Sequence, residues 1–211
     1  MGVIDRQFFS SFASTAAKNI DSFNNHELVN IAWSFAVADV DAPTLFNDHF
    51  LNISVQKKDG FNTNELRQLY QWHLWQTKER SRDGLPEEFL DSCYKAFISA
   101  DTTASKFQKD VVTHLTSIGL DPKEEVLLDS GYSIGADVEV NGKIVGVEVD
   151  GPSHFIGKSK SPTGSTLLKR RQVPSLDGIE LASVSYWEWN KLGKDETKKQ
   201  EHLRELLGLT S

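Results

Sequence analysis

The stretch VGVEVDGPSHF, residues 145–155, sets Glu148 and Asp150 among valines at alternate positions, then breaks at Gly151-Pro152 before Ser153 and His154. Side chains of a strand alternate between its two faces, so the valines and the acids separate. Just upstream, YSIGADVEV (132–140) and KIVGVEV (143–149) flank Asn141-Gly142. Asn-Gly between two alternating runs is a strong two-residue hairpin signal. In a symmetric hairpin Val140 opposes Lys143 and Asp137 opposes Gly146. Asp137, Glu139, Glu148 and Asp150 then share one face. Val138, Val140, Val145, Val147 and Val149 take the other, which reads as a core face. Gly135 and Gly146 are expected to leave open space beside the acids.

Asp137 and Glu148 become diagonal neighbours, roughly 7–8 Å apart at Cα. Gathering like charges raises a pKa or demands a cation. A divalent ion, Mg2+ or Mn2+, held by Asp137, Glu148 and Asp150 is one answer. A Lys or Arg from LLKRR (167–171) is another. An exposed acidic face with no site is the third. Gly151-Pro152 ends the strand abruptly and holds His154 at the carboxylate edge, a candidate for acid–base work or RNA contact.

Outward from the hairpin, GIELASVSYWEWNKL (178–192) supplies a third strand around Ile179, Leu181 and Val184. Tyr186, Trp187 and Trp189 follow it as core, as a strand-end clamp, or as a stacking platform for bases. DETKKQEHLRELLGL (195–209) reads as a closing amphipathic helix with Leu203, Leu206 and Leu207 inward. A leading helix opens at Ser105 with Gln108 as a capping box. It carries Phe107, Val111, Leu115 and Ile118 on one face and stops at Gly119.

The first half follows a different period. FNNHELVNIAWSFA begins at Phe23 and FNTNELRQLYQWHL at Phe61, 38 residues on, with Phe, Asn, Glu and Leu coinciding. Asn24 with Glu27, and Asn62 with Glu65, fit capping boxes; Phe23/Leu28 and Phe61/Leu66 fit the hydrophobic staple. A second helix follows each copy, in APTLFNDHFLNI and in GLPEEFLDSCYKAF. Helix pairs at a fixed period read as a solenoid, and two unrelated hairpins with matching caps remain the alternative. The small polar run SADTTAS (99–105) marks the boundary, giving units 1–102 and 103–211.

Composition bounds the function. The 211 residues carry a net charge of −7, which argues against a wholly basic nucleic-acid binder but leaves room for a local strip. KSKSPTGSTLLKRR supplies that strip: Lys158, Lys160, Lys169, Arg170 and Arg171. Cys93 is the single cysteine, so no internal disulfide or cysteine-based zinc site forms. The six histidines show no ligand spacing, and no apolar run approaches a membrane span. The first residues lack the long apolar region of a secretory signal.

Two resemblances follow from these motifs. The Phe-Asn-x-x-Glu-Leu opening, the NIAWSFA core and the 38-residue period resemble the octotricopeptide repeats and the related helical repeats of the FAST kinase family of organellar RNA regulators. VEVDGPSHF, LLKRR, a Gly-led strand ending in YWEW and a helix with HLRELL, in that order, resemble the RAP domain. The implied fold is α/β: an N-terminal α-helical solenoid followed by a RAP domain with a PD-(D/E)XK endonuclease-like α/β/α core, similar also to very-short-patch repair nucleases. In that comparison Asp137 takes the place of the metal-binding Asp and Glu148 of the following acid. Asp150 stands where those nucleases carry Lys, with Lys169 or Arg170 as a possible substitute. The resemblance implies a protein of the mitochondrion or chloroplast that binds RNA, single-stranded or ribosomal. Its expected roles are RNA processing, stability, translation or ribosome assembly, within a ribonucleoprotein and without a membrane. Lys158, Lys160, Lys169, Arg170 and Arg171 are the expected phosphate contacts. The alternative is an endoribonuclease in which Asp137, Glu148 and Asp150 hold Mg2+ or Mn2+ and His154 or Lys169 orients water or phosphate. A structural partner of a large assembly is a third reading.

Overall fold

The computed structural model describes residues 4–99, 104–157 and 159–209. Contacts divide the chain into two compact units, Met1–Ala100 and Asp101–Ser211.

Among the described residues the first unit is helical: α1 (Arg6–Asn19), α2 (Asn25–Ala38), α3 (Asp48–Gln56), α4 (Thr63–Leu74) and α5 (Glu87–Ile98). Both capping boxes form. Asn24 Oδ1 accepts from the Glu27 amide and Glu27 Oε2 from the Asn24 amide, each at 2.9 Å. Asn62 and Glu65 repeat the exchange at 3.1 and 2.9 Å. α2 packs on α4 and α4 on α5. Trp33 Nε1 donates to Gln71 Oε1 at 2.8 Å, and these two positions lie 38 residues apart, the offset of the sequence match. Buried Phe35, Phe46, Phe50, Trp72 and Trp75 fill the interior with edge-on and tilted ring contacts. α1 is an addition to the sequence reading, which assigned no helix to the first residues.

The second unit is a mixed sheet, order β1-β2-β3-β4, built from β1 (Lys123–Leu127), β2 (Ser133–Val140), β3 (Lys143–Asp150) and β4 (Glu180–Ser185). β1–β2 and β2–β3 are antiparallel; β3–β4 is parallel. The hairpin has the expected register, with Val140 opposite Lys143 and Asp137 opposite Gly146. Asn141 and Gly142 take φ of 51° and 76°, the left-handed pair such a turn needs. β3 and β4 are joined through α7 (Gly164–Asp177), as a parallel pair requires.

The valine face is the core. Ala136, Val138, Val140, Val147, Ala182 and Val184 meet Val111 and Leu115 of α6 (Lys106–Ser117), Trp189 of α8 (Tyr186–Leu192), and Leu203 of α9 (Glu196–Leu206). Asp110 ties these helices together, accepting from Trp189 Nε1 and Lys199 Nζ, both at 2.7 Å.

Four sequence expectations change here. β1 went unanticipated, because Lys123-Glu124-Glu125 shows no alternation and Glu125 takes a positive φ of 53°. Tyr186, Trp187 and Trp189 open a helix, unassigned in the sequence reading, directly where β4 ends, and of the readings offered for them Trp189 takes the core one. Ser105 caps α6 by accepting from the Gln108 amide, but Gln108 does not close the box; its side chain donates to Glu125 Oε1 and to the Gly135 carbonyl instead. The space at Gly146 is filled: a Cβ there would meet Leu181 at 2.7 Å and Ile134 at 3.1 Å. At Gly135 it would meet the Val147 carbonyl at 3.2 Å.

Candidate functional site

β3 carries Glu148 and Asp150 on the face opposite the valine core. The parallel register sets Glu148 beside Ser183 and Asp150 beside Ser185, so Leu181, Ser183 and Ser185 share that face. α7 stands over it, and its first full turns present Lys169 and Arg170. Thr163 caps the helix by accepting from the Thr166 amide.

The two acids are buried, Glu148 at 6 % exposure and Asp150 at 1 %. Each is met by its own cation. Lys169 Nζ lies 2.6 Å from Glu148 Oε1, an ion pair. Arg170 Nη2 donates to Asp150 Oδ2 at 2.5 Å and to Ser183 Oγ at 2.8 Å. Ser183 Oγ also donates to Asp150 Oδ2. The other oxygen, Oδ1, takes His154 Nδ1 at 3.0 Å. The His154 backbone is pinned in turn: its carbonyl accepts from the Thr163 amide at 2.9 Å and from Thr166 Oγ1 at 3.2 Å. With Nδ1 engaged, Nε2 is the ring nitrogen left for a proton or a ligand, on a side chain 37 % exposed.

The two carboxyls titrate in opposite directions. Burial raises the Glu148 pKa, and the Lys169 ammonium offsets only part of that. Burial would raise Asp150 as well, but hydrogen bonds from His154, Ser183 and Arg170 outweigh it and hold the carboxyl down to about 2. Asp150 is therefore a fixed anion, and Glu148 the acid whose charge rests on one lysine.

The predicted residues are thus partly gathered. Glu148, Asp150, His154, Lys169 and Arg170 form one cluster. Asp137 shares the face and is buried, yet the α7 cations go to Glu148 and Asp150. Among the described residues no group of three or more His, Cys, Asp or Glu is placed to hold a metal ion. The expected ligand set Asp137, Glu148 and Asp150 does not fit Mg2+ or Mn2+: both Asp150 oxygens hold donors, and Glu148 holds Lys169. Of the three ways to relieve the acids, the LLKRR cations are the one this fold uses. Lys169 and Arg170 consequently face inward instead of forming an open phosphate strip. Lys160 is exposed and stands 5.4 Å over the Trp187 ring. Arg171 is half-buried on α7, and Lys158 lies outside the described residues. A cleft in the first unit, lined by Phe46, Asn47, Gln76 and Arg82 among others, holds none of these residues.

Sequence reasoning missed Ser183, Thr163 and Thr166. The signal for Ser183 is alternation within ELASVS: Ala182 and Val184 face the core, which puts Ser183 with the acids. It becomes readable only once the β3–β4 register is known.

Residues 147–206 match the family model described as RAP domain. That span holds Glu148, Asp150, His154, Lys169, Arg170 and Ser183. The chain is also similar to a curated protein of Oryza sativa subsp. japonica, named "RAP domain-containing protein, chloroplastic", at 30 % identity over 204 residues. The aligned region is 89 % of this chain and 30 % of that relative, so the chain spans about a third of its relative's length. No helix among the described residues is long and apolar enough to cross a membrane.

Proposed function

We propose that this chain, which carries a RAP domain over residues 147–206, is an RNA-binding protein and not a metal-dependent nuclease. The observation that carries the reading is the internal neutralisation of the acids. A metal site keeps carboxylate oxygens available for the ion, whereas here Lys169, Arg170, Ser183 and His154 occupy Glu148 Oε1 and both oxygens of Asp150. The acids then serve to fix α7 and His154 on the sheet, and the cluster presents a rigid edge to a ligand. The resemblance of the first unit to octotricopeptide repeats supports the same class. Two helix pairs whose first helices carry the same capping box, joined by Trp33–Gln71 at the repeat offset, would extend as a solenoid along a strand of RNA. The setting is an organelle, with the chloroplast favoured by the name of the rice relative, and the task is RNA processing, stability, translation or ribosome assembly on single-stranded or ribosomal RNA.

Fluorescence anisotropy with labelled single-stranded RNA tests this, run with EDTA and then with magnesium or manganese, with products resolved on a gel. Binding that persists in EDTA, with RNA intact in either metal, is the expected result. Metal-dependent cleavage that disappears in Glu148→Gln would overturn it.

A further inference from the structure

We propose that Trp187 is a stacking site for one nucleobase of single-stranded RNA, with Lys160 as its displaceable cover. This rests on the RNA-binding reading above and adds to it a place and a contact.

β3 and β4 run parallel and end side by side, Asp150 opposite Ser185. The carboxyl ends of parallel strands are where α/β sheets place ligands. Beyond Asp150 the chain continues into His154, Phe155 and Lys160; beyond Ser185 it continues into Tyr186 and Trp187. These residues therefore collect at one edge of the sheet.

Two tryptophans of α8 behave differently there. Trp189 is 3 % exposed, sits in the core and donates its indole N–H to Asp110. Trp187, two positions earlier, is only half-buried. It is steadied by Phe155 at 4.3 Å between ring centroids and by Tyr186 at 5.3 Å, both edge-on. An edge-on pair sets the edge of one ring against the face of the other, so these neighbours fix the indole without a parallel stack on it. What stands over the ring is the Lys160 ammonium, at 5.4 Å, on an exposed side chain. Ile156, next to Phe155 in the chain, is 60 % exposed, so the same loop holds an apolar side chain in water.

Magnitudes decide whether a base can take the lysine's place. An exposed cation–π contact is worth roughly 2- to 5-fold in an equilibrium. A base stacked on an aromatic side chain is worth roughly 5- to 150-fold. The base wins, and the displaced ammonium is then beside the backbone phosphates that accompany it. Stacking accepts any base, so the site is tolerant of sequence and its energy is independent of salt.

The test uses the full chain and short single-stranded RNA, with two readouts. Trp187→Leu should weaken binding by roughly 5- to 150-fold, with an unchanged slope of log affinity against log salt. Trp187→Phe keeps an aromatic ring and should bind within about 3-fold of the unmodified chain. In the unmodified chain RNA should quench part of the tryptophan emission, and that part should vanish in Trp187→Phe. The quenching reads the site even if the leucine variant fails to fold. Equal affinity of the leucine variant, or quenching that survives in the phenylalanine variant, overturns the site while RNA binding itself stands. If the unmodified chain binds no RNA, the functional reading falls first and the site with it.

Discussion

On one face of the four-stranded sheet Val138, Val147 and Val184 meet Leu115 and Leu203; on the other, Glu148 and Asp150 meet Lys169 and Arg170. Both sets of strand residues lie out of solvent. The forces differ. The valine face is held by apolar burial, which has no direction and tolerates swaps of similar volume. The acid face is held by hydrogen bonds and ion pairs that work only in one arrangement. Removing one partner there leaves a buried charge alone. The first face supplies stability and the second fixes the position of His154 and of the loop toward Trp187.

The sharpest way to break this contrast is Asp150→Lys, which reverses the charge at the most buried acid of the cluster. It sets a buried ammonium beside Arg170, and urea denaturation should record a loss of about 5 kcal/mol, the upper end for breaking a buried pair. A stable variant with metal-dependent cleavage would show that the acid face is a nuclease site in waiting. Next comes the apolar face. Leu203→Ala should lose about 3 kcal/mol through the cavity it leaves, by an equal amount at acid and neutral pH.

A pH titration of stability separates the faces further. Asp150 has a folded pKa near 2 against an ordinary 3.8. Its contribution is full above 3.8 and is lost as pH falls toward 2, about 2 kcal/mol in all. Asp150→Asn should flatten that limb, and Leu203→Ala should leave it unchanged. Glu148 has the opposite sign. Its pKa is raised, so its contribution is full below the ordinary 4.5 and declines as pH rises through the folded value. Glu148→Gln should remove that decline. The smallest expected effect is Gly146→Ala, about 1 kcal/mol, at the low end for overpacking because the flexible end of Leu181 can shift.

How far the sequence reaches is itself set by these interactions. The β2–β3 register was readable because Asn141-Gly142 is a local constraint, and local turn chemistry fixes which side chains share a face. The cations of LLKRR were readable as one of several ways to relieve the acids, since charge balance is a matter of composition. Ser183 was not, because its place depends on a parallel pairing between strands separated by α7. β1 was hidden by Glu125, whose backbone departs from the extended form. The glycines misled: a residue without a side chain signals close approach as readily as open space, and Leu181 fills the room at Gly146. In the first unit the matched caps at Asn24 and Asn62 needed only three residues of context each, and both formed.

The crossover through α7 also sets an order of events. The β2–β3 hairpin is local and can close on its own, but it then carries Glu148 and Asp150 in water as two bare anions. Lys169 and Arg170 arrive only when α7 docks, and Ser183 only when β4 pairs beyond it. Drying of the acid face therefore follows closure of the hairpin and, by reversal, is undone before the hairpin opens. Amide exchange should find α7 opening at lower free energy than the hairpin beneath it. A ligand seated on the loop between β3 and α7 would hold that late step closed, so occupancy of the edge and retention of the helix would rise and fall together.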